Sequence, residues 1–375
     1  GALKTLASRP LIFLYILPIL AGAVLGVSHV HEIPGIFHDM EWIEYDAAGG
    51  YIRDVVMKPL LLVLYAMLVG VAVGRSRTTA RFLTPMLVSM WVMALLVIVF
   101  IAASGVSLSQ LAGTYERSFL SPLGMHANDL GRLYATAYAL LLFIWDRTPR
   151  AALKAFLILS MGLVTAALLL TFSRGAIVAF VIVNVIYLFS RRKLKTLILG
   201  AMLAPVALAL MPGALWSRLD MGMDQGVNAV SAGRVTGIWQ PLLPWVSESP
   251  IWGHGLQSIL WSPAMRADHM LQVTHPHSAW LQAVLDTGVI GLVLMLAFWM
   301  GHVWRGFRAL ARDTSLAPEM SGFFEGAAAG LLGFVLANAA GSSFFPVPEQ
   351  SFLWLAVGMM YGLRLRAKLA AAGKA

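Results

Sequence analysis

Long apolar runs separated by short charged segments constrain this chain more than any other feature. About ten such runs have roughly the 17 to 25 residues that a helix needs to cross about 30 Å of hydrocarbon. Charged residues make up only 12% of the chain, against about 25% in soluble domains. A membrane β-barrel would instead show alternating strands of about ten residues. The sequence therefore predicts an all-α polytopic membrane protein with about 10–12 transmembrane helices.

The predicted spans divide the chain into three parts. The spans lie near residues 10–27, 55–74, 82–103, 129–145, 153–171, 175–190, 196–213, 279–301, 321–341 and 351–363. The last is short, and we expect it to extend a few residues at each end. Residues 1–213 are predicted to form an N-terminal transmembrane bundle, 214–277 a large helical loop, and 278–375 the C-terminal transmembrane helices.

Lysine and arginine are distributed unevenly between the two ends of the predicted spans. One side holds 19 of the 27 basic residues and the other holds 8, and the sides alternate without conflict across ten spans. Because cytoplasmic loops carry an excess of basic residues, both termini are predicted to be cytoplasmic and the 214–277 loop to lie outside. Topology accounts for most of the net charge of +9, so no nucleic-acid partner is indicated. The chain has no cysteine, which excludes disulfides and thiolate chemistry.

The predicted outer side carries the side chains suited to chemistry. Eight of the nine histidines fall there, and the basic residues of the 214–277 loop are three arginines with no lysine: Arg218, Arg234 and Arg266. The planar guanidinium of arginine binds phosphate through two parallel hydrogen bonds, whereas lysine acts as a point charge. Segments such as 233–246 are predicted to form short helices against the membrane, where tryptophan suits the interface. A lipid-linked phosphate or diphosphate is therefore the indicated ligand.

Two short segments place further arginines on this side. "TFSRGA" (171–176) joins two predicted spans, which puts Arg174 at the membrane surface beside a glycine that permits a tight turn. "SAGRVTGIW" (231–239) holds Arg234 and, five residues later, Trp239. A ligand contact and a snorkelling or solvated arginine are both consistent with each segment.

The segment "THPHSAWLQ" (274–282) places two imidazoles at the start of a span. Pro276 disfavours helix before it, and Ser278 can cap the helix that follows. Partial positive charge at a helix start lowers the pKa of His277 and favours neutral imidazole, the form that a general base needs. A general base and a polar interface residue fit this segment equally well. The spacing of these histidines and of the nearby carboxylates does not resemble a metal site.

Several of these motifs in order resemble the O-antigen ligase and polymerase superfamily. They are "TFSRGA", "GRVTGIW", "PIWGHGLQS" (250–258) and "HPHSAWLQAVLDTGVIGL" (275–292), and "GMHANDLGRL" (124–133) is similar to an earlier family segment. The resemblance covers roughly residues 120–295. Two positions depart from the family pattern, since Ser278 replaces an asparagine and Asp286 a glutamate.

The resemblance implies a glycosyltransferase that needs no cofactor. The implied donor is an undecaprenyl diphosphate-linked O-antigen and the implied acceptor a sugar hydroxyl of lipid A–core, at the periplasmic face of a Gram-negative inner membrane. His277 is the expected general base, and Arg174 and Arg234 are expected to clamp the diphosphate. The other candidate substrate-binding residues are Arg218, Arg266, His275, Ser278, His254 and Trp239.

Three other functions remain open. A polymerase or a protein O-oligosaccharyltransferase of the same superfamily would use the same chemistry with another acceptor. A transporter of lipid-linked sugars would instead place essential charges near the bilayer midplane, often in broken helices. Asp286 and Glu325 lie within predicted spans, but the sequence shows no internal repeat.

Overall fold

The computed structural model describes residues 8–76, 78–107, 110, 116–191, 213–220, 223, 226–266, 271, 273–341 and 343–371. Within these ranges all regular structure is helical, which confirms the predicted all-α class. The long helices in these ranges are α1 (Arg9–Val27), α2 (Ala48–Arg75), α3 (Thr79–Ser104), α4 (Ala127–Arg147), α5 (Ala151–Leu170), α6 (Arg174–Arg191), α7 (Ala279–Ala311), α8 (Pro318–Ala337) and α9 (Ser351–Ala371). They match nine of the ten predicted spans, and the remaining span, 196–213, lies almost wholly outside the described residues. Helix α9 extends eight residues beyond the predicted end at 363.

The 214–277 region contains only short helices in its described parts. They are Gly213–Asp220, Val227–Val230, Val235–Trp239 continuing as Gln240–Glu248, Ser258–Trp261 and Pro263–Arg266. The helix predicted from 233–246 is therefore present, shifted by about two residues.

Helix α4 is the centre of the bundle although it is not among the most apolar helices. Seven of the described helices are long and apolar enough to cross a membrane, and α4 and α9 are not among them. Sixteen of the 21 residues of α4 are nevertheless buried, and α5, α6 and α8 pack against it. Charged residues near both ends lower its hydropathy, and partners inside the protein neutralise them.

Glycines bring α8 into close contact with α4. Gly322, Gly326 and Gly330 are spaced by four residues and lie on one face of α8. A methyl group at Gly326 would lie 2.6 Å from the carbonyl oxygen of Ala139 on α4, and one at Gly322 would collide with that of Phe143. Small residues at this spacing allow membrane helices to approach at backbone distance. Any larger side chain at Gly322 would push the two helices apart.

Helix α7 is interrupted at Gly288, where the backbone adopts φ +68°. This value favours glycine because it has no Cβ. The loop 250–256 enters the gap and completes the hydrogen bonding of both helix segments. The bonds run from His254 N to Leu285 O (2.8 Å), Gly255 N to Asp286 O (3.0 Å) and Val289 N to Pro250 O (2.8 Å). Buried backbone groups left without partners would be costly in a membrane protein.

The same loop also joins α1 and α2 to α7. The backbone N–H of Leu256 donates to the carbonyl oxygen of Gly22 in α1 at 2.9 Å. Its own carbonyl accepts a 2.8 Å hydrogen bond from the hydroxyl of Tyr51 in α2. Helices from both predicted transmembrane segments therefore meet around residues 250–256.

Candidate active site

A cavity of about 210 Å³ lies at the end of the bundle that the sequence predicts to be outer. Four segments meet there. They are the start of α4, the residues before α7, the turn that follows α8, and Arg234. We call it the arginine cavity because Arg132 and Arg234 both line it, together with His275 and His277.

The two histidines form a rigid pair. His277 has φ +52°, a left-handed conformation that non-glycine residues rarely adopt. Its backbone N–H donates to Nδ1 of His275 at 3.1 Å, and the ring centroids are 3.9 Å apart. Local strain of this kind persists where surrounding structure fixes it, often at functional sites.

This hydrogen bond gives the two rings different chemical roles. Nδ1 of His275 accepts a hydrogen bond from the backbone N–H of His277, so in the neutral ring Nε2 must carry the hydrogen. His275 can then donate a hydrogen bond to a ligand, but it has no free nitrogen to accept a proton. His277 is therefore the better candidate for a general base.

Burial keeps both imidazoles neutral. Desolvation, followed by the positive charges of Arg132 and Arg234, lowers the pKa of His275 to about 4. The pKa of His277 is lowered further, first by desolvation and then by His275 and Arg234. The sequence attributed a lowered pKa of His277 to the helix start, whereas burial is the main cause.

Two predicted residues hold this segment in place. Ser278 caps α7, and its hydroxyl accepts a 3.3 Å hydrogen bond from the N–H of Leu281. The indole N–H of Trp239 donates to the carbonyl oxygen of Pro276 at 2.8 Å. Trp239 therefore supports the backbone between the two histidines, a role that the sequence alone did not indicate.

The two arginines of the cavity are held in different ways. Nη1 of Arg234 donates to the carbonyl oxygen of Ala340 at 3.0 Å, which is a neutral acceptor. Arg132 is 6% exposed and lies between two carboxylates, Asp129 at 2.6 Å and Glu349 at 3.0 Å. The cavity therefore presents two guanidinium groups of known orientation.

The sequence did not place Arg132 and Glu349 in the site. The segment "GMHANDLGRL" puts Arg132 near the start of a predicted span, on the predicted outer side. That position was the sequence signal that could have identified Arg132 as a site residue. Glu349 lies in a short 3₁₀ helix, Pro348–Gln350, before α9. The amide of Gln350 donates to the carbonyl oxygens of Ser343 and Phe345 at 2.9 and 2.8 Å and fixes this segment.

The remaining predicted site residues lie outside the lining of the arginine cavity. Arg174 is the first residue of α6, and its hairpin packs on Gly131, next to Arg132. Arg218 is buried in the helix Gly213–Asp220. Arg266 forms an ion pair with Glu32 at the surface. His254 stacks on Trp245 at 3.6 Å and bonds its carbonyl oxygen.

Within the part of the chain that the structure describes, no group of three or more metal-ligating side chains converges. The arginine cavity instead offers cationic donors and neutral imidazole. Such a set suits an anionic ligand and a proton transfer.

The fold and the cavity together define a polytopic membrane protein with an arginine–histidine site at one end of its helices. Residues 155–296 match the family described as O-antigen ligase. This match supports placing the chain in the O-antigen ligase superfamily, as the motifs predicted, and that superfamily implies a glycosyltransferase-like ligase or polymerase activity. The matched region contains Arg174, Arg234 and both histidines. No protein of curated function matches the chain.

Proposed function

We propose that this protein transfers an O-antigen glycan from undecaprenyl diphosphate to a sugar hydroxyl of lipid A–core. The reaction would take place at the periplasmic face of a Gram-negative inner membrane, with both termini of the chain in the cytoplasm. One observation carries the proposal beyond the family match. Arg234, Arg132 and His277 line a single cavity at one end of the bundle.

The arginines bind and stabilise the diphosphate leaving group. Arg132 lies between Asp129 and Glu349, and Arg234, held by the carbonyl oxygen of Ala340, brings a second guanidinium to the same cavity. Arg174 is the proposed second member of the clamp; it lies outside the lining of the cavity, on a hairpin that packs against Gly131 near Arg132. As the glycosidic bond breaks, negative charge grows on the diphosphate, and such charge stabilisation is usually the largest catalytic contribution.

His277 takes the proton of the acceptor hydroxyl. The hydroxyl oxygen attacks the anomeric carbon, the bond from that carbon to the diphosphate oxygen breaks, and its electrons leave with undecaprenyl diphosphate. This single displacement inverts the anomeric centre. Without ligand, Arg234 is among the charges that keep the pKa of His277 low. A bound diphosphate offsets those charges and strengthens the base when the donor is present.

The transporter alternative is less well supported than the enzyme. Glu325 lies within α8, but it accepts hydrogen bonds from Arg147 and Arg191 at 3.0 Å. Its charge is therefore compensated within the bundle. The break in α7 is filled by residues 250–256 rather than left open for a ligand.

Transfer by purified protein tests the proposal directly. The protein in lipid nanodiscs receives undecaprenyl diphosphate-linked O-antigen and rough lipopolysaccharide, in buffer with EDTA. We expect extended lipopolysaccharide to form, and His277→Ala to abolish most of it. Full activity of His277→Ala would contradict the base, and activity lost to EDTA but restored by a divalent ion would contradict a metal-independent reaction.

A deletion strain separates ligase from polymerase. A strain without the ligase makes lipopolysaccharide with uncapped core only, whereas a strain without the polymerase still adds one repeat unit. Single-unit bands on a gel of the deletion strain would therefore assign the protein to the polymerase reaction.

A further inference from the structure

A second cavity, of about 200 Å³, shares His275 with the arginine cavity. We call it the glutamine cavity, after Gln257 and Gln282 in its lining. Asp54 and Asp286 also line it, and Leu256 and Phe345 supply apolar surface. His275 is therefore a common wall between two cavities of different composition.

The lining of the glutamine cavity suits neutral hydroxyl groups rather than a diphosphate. Among the described residues that line it, none is a lysine or an arginine. Asp54 is paired with Arg53 and Lys58 at 2.8 and 2.7 Å, so its charge is already offset. Amides both donate and accept hydrogen bonds, and carboxylates accept them. Polar groups of this kind between apolar faces are typical of small-ligand sites.

Asp286 is a buried carboxylate with an unused acceptor. It is 2% exposed. Its Oδ1 accepts hydrogen bonds from the N–H and the hydroxyl of Ser258 at 3.1 and 3.2 Å. The side-chain amide of Gln282 interacts with this carboxylate, but Oδ2 makes no hydrogen bond of standard geometry among the described residues. Buried polar atoms are normally satisfied, so Oδ2 indicates a donor that a ligand hydroxyl in this cavity can supply.

The amide of Gln257 is held in a fixed orientation. The residue has φ +65°, in the left-handed region, and its Oε1 accepts a 2.7 Å hydrogen bond from the hydroxyl of Tyr45. Tyr45 is 5% exposed and belongs to the segment between α1 and α2. Because Tyr45 occupies the amide oxygen, the amide nitrogen of Gln257 is the end available to donate.

An apolar groove continues from the glutamine cavity along α2. The groove has a volume of about 440 Å³ and shares Asp54, Pro59, Pro346 and Val347 with the cavity. It then follows α2 past Lys58 to Leu61, and Leu61 is 61% exposed. A groove that joins a polar cavity to the lipid surface fits a lipid with a sugar head group.

We propose that the glutamine cavity binds the terminal sugar of the glycolipid acceptor, and that its acyl chains follow the groove along α2. This inference rests on the proposed function. Donor diphosphate and acceptor sugar then occupy different cavities and meet at His275 and His277. The acceptor hydroxyl reaches the anomeric carbon from the side away from the leaving group, as an inverting displacement requires. Tyr45 is a positioning residue that acts through Gln257.

Steady-state kinetics with both substrates varied test the assignment. The probes are rough lipopolysaccharide and undecaprenyl diphosphate-linked O-antigen. Gln282→Ala should raise the KM for lipopolysaccharide about tenfold, and Tyr45→Phe about threefold, the loss expected for one hydrogen bond. The KM for the donor and kcat should change less than twofold.

Two variants provide matched controls. Tyr138→Phe removes the same kind of bond, because the Tyr138 hydroxyl donates to the amide oxygen of Asn184 at 2.9 Å, and neither residue lines either cavity. Gln240→Ala removes an exposed glutamine. Neither should change either KM. An unchanged acceptor KM in Gln282→Ala, or a raised donor KM instead, would overturn the assignment and indicate that the cavity holds donor glycan.

Binding without turnover separates this inference from the proposed reaction. Rough lipopolysaccharide and its deacylated core oligosaccharide are titrated against His277→Gln protein without donor. Gln282→Ala in that background should weaken both ligands by the same factor, and only the intact glycolipid should benefit from the groove. If wild-type protein transfers no glycan, these titrations still decide whether the cavity binds the acceptor. Equal affinity of the proteins with and without Gln282 would exclude acceptor binding in the glutamine cavity.

Discussion

The two ends of α4 carry similar charges that have different consequences. At the end predicted to be outer, Arg132 lies between Asp129 and Glu349. At the other end, Glu325 of α8 lies between Arg147 and Arg191, and Arg191 also pairs with Asp146 at 2.8 Å. Both clusters connect segments that are distant in sequence. Only the first borders the arginine cavity, beside Arg234 and two neutral histidines, so it combines structural pairing with a surface that a ligand can reach.

Substitution of the side chains that line the arginine cavity should have the largest effect on kcat. We expect Arg234→Ala to lower kcat about 10²–10³-fold, because charge on the leaving group loses its stabilisation. His277→Ala should lower it about 10²–10⁴-fold, as expected for a general base. Arg147→Ala, at the other end of α4, should leave kcat of the folded protein within about twofold. Transfer rates of purified protein that elutes as a folded species in size-exclusion chromatography measure the difference. Equal losses of kcat in Arg147→Ala and Arg234→Ala would contradict a catalytic role confined to the Arg132 end of α4.

The Glu325 cluster, at the opposite end of α4 from the arginine cavity, should affect stability rather than rate. Glu325→Gln leaves Arg147 and Arg191 facing a neutral side chain. Breaking a buried pair costs about 3–5 kcal/mol, and since Arg147 is 42% exposed we expect roughly 2 kcal/mol after solvent screening. Thermal unfolding in detergent measures this loss, with kcat below the transition unchanged. Glu349→Gln should lower both stability and kcat, and a purely structural effect there would indicate that Arg132 does not contact substrate.

The pH dependence of kcat/KM, which reports on the free enzyme, should differ from that of kcat, which reports on the donor complex. The lowered pKa values of His275 and His277 keep both neutral down to about pH 5, so kcat/KM should be flat from pH 8 to 5. In the donor complex the diphosphate raises the pKa of His277, and the acid limb of kcat should appear at higher pH. Arg234→Gln should also shift the acid limb of kcat/KM to higher pH, because it removes a positive charge that lowers the pKa of His277. A wild-type limb near pH 6.5 in kcat/KM would contradict the buried, neutral pair.

The same titration affects folding. In the unfolded chain these histidines take up protons near pH 6.5, whereas in the folded protein they do so only at lower pH. The unfolded state therefore binds more protons between these values, and the free energy of unfolding should fall as pH drops from 6.5 toward 4. Replacement of both histidines by glutamine should remove this part of the pH dependence.

The smallest effect is expected at Arg266. This residue was a sequence-based candidate for substrate binding, but it is 50% exposed and paired with Glu32. An exposed ion pair of this kind contributes less than about 1 kcal/mol. Arg266→Ala should change the donor KM less than twofold in the transfer assay. A tenfold increase would restore Arg266 to the site.

The sequence predicted most of the fold because apolar run length and helix length are directly related. It also predicted that Ser278 caps α7, and motif order singled out His277 and Arg234, which line one cavity in the structure. It did not predict Glu349 or the role of Trp239. Their partners, Arg132 and the carbonyl of Pro276, are 217 and 37 residues away. Local periodicity carries no information about such contacts, and the pairing of Arg266 with Glu32 from another loop is a further example.

The filled break in α7 also constrains how the protein is made. Residues 250–256 are synthesised before α7, and α1, whose Gly22 bonds Leu256, is synthesised long before either. When α7 enters the bilayer, the backbone groups around Gly288 have no partners until that loop docks. Completion of α7 must therefore wait for the N-terminal helices and the loop to assemble, and the arginine cavity must wait further for Ala340 and Glu349, which are synthesised after α7. The newly made chain should pass through a fully inserted state in which the arginine cavity is not yet complete.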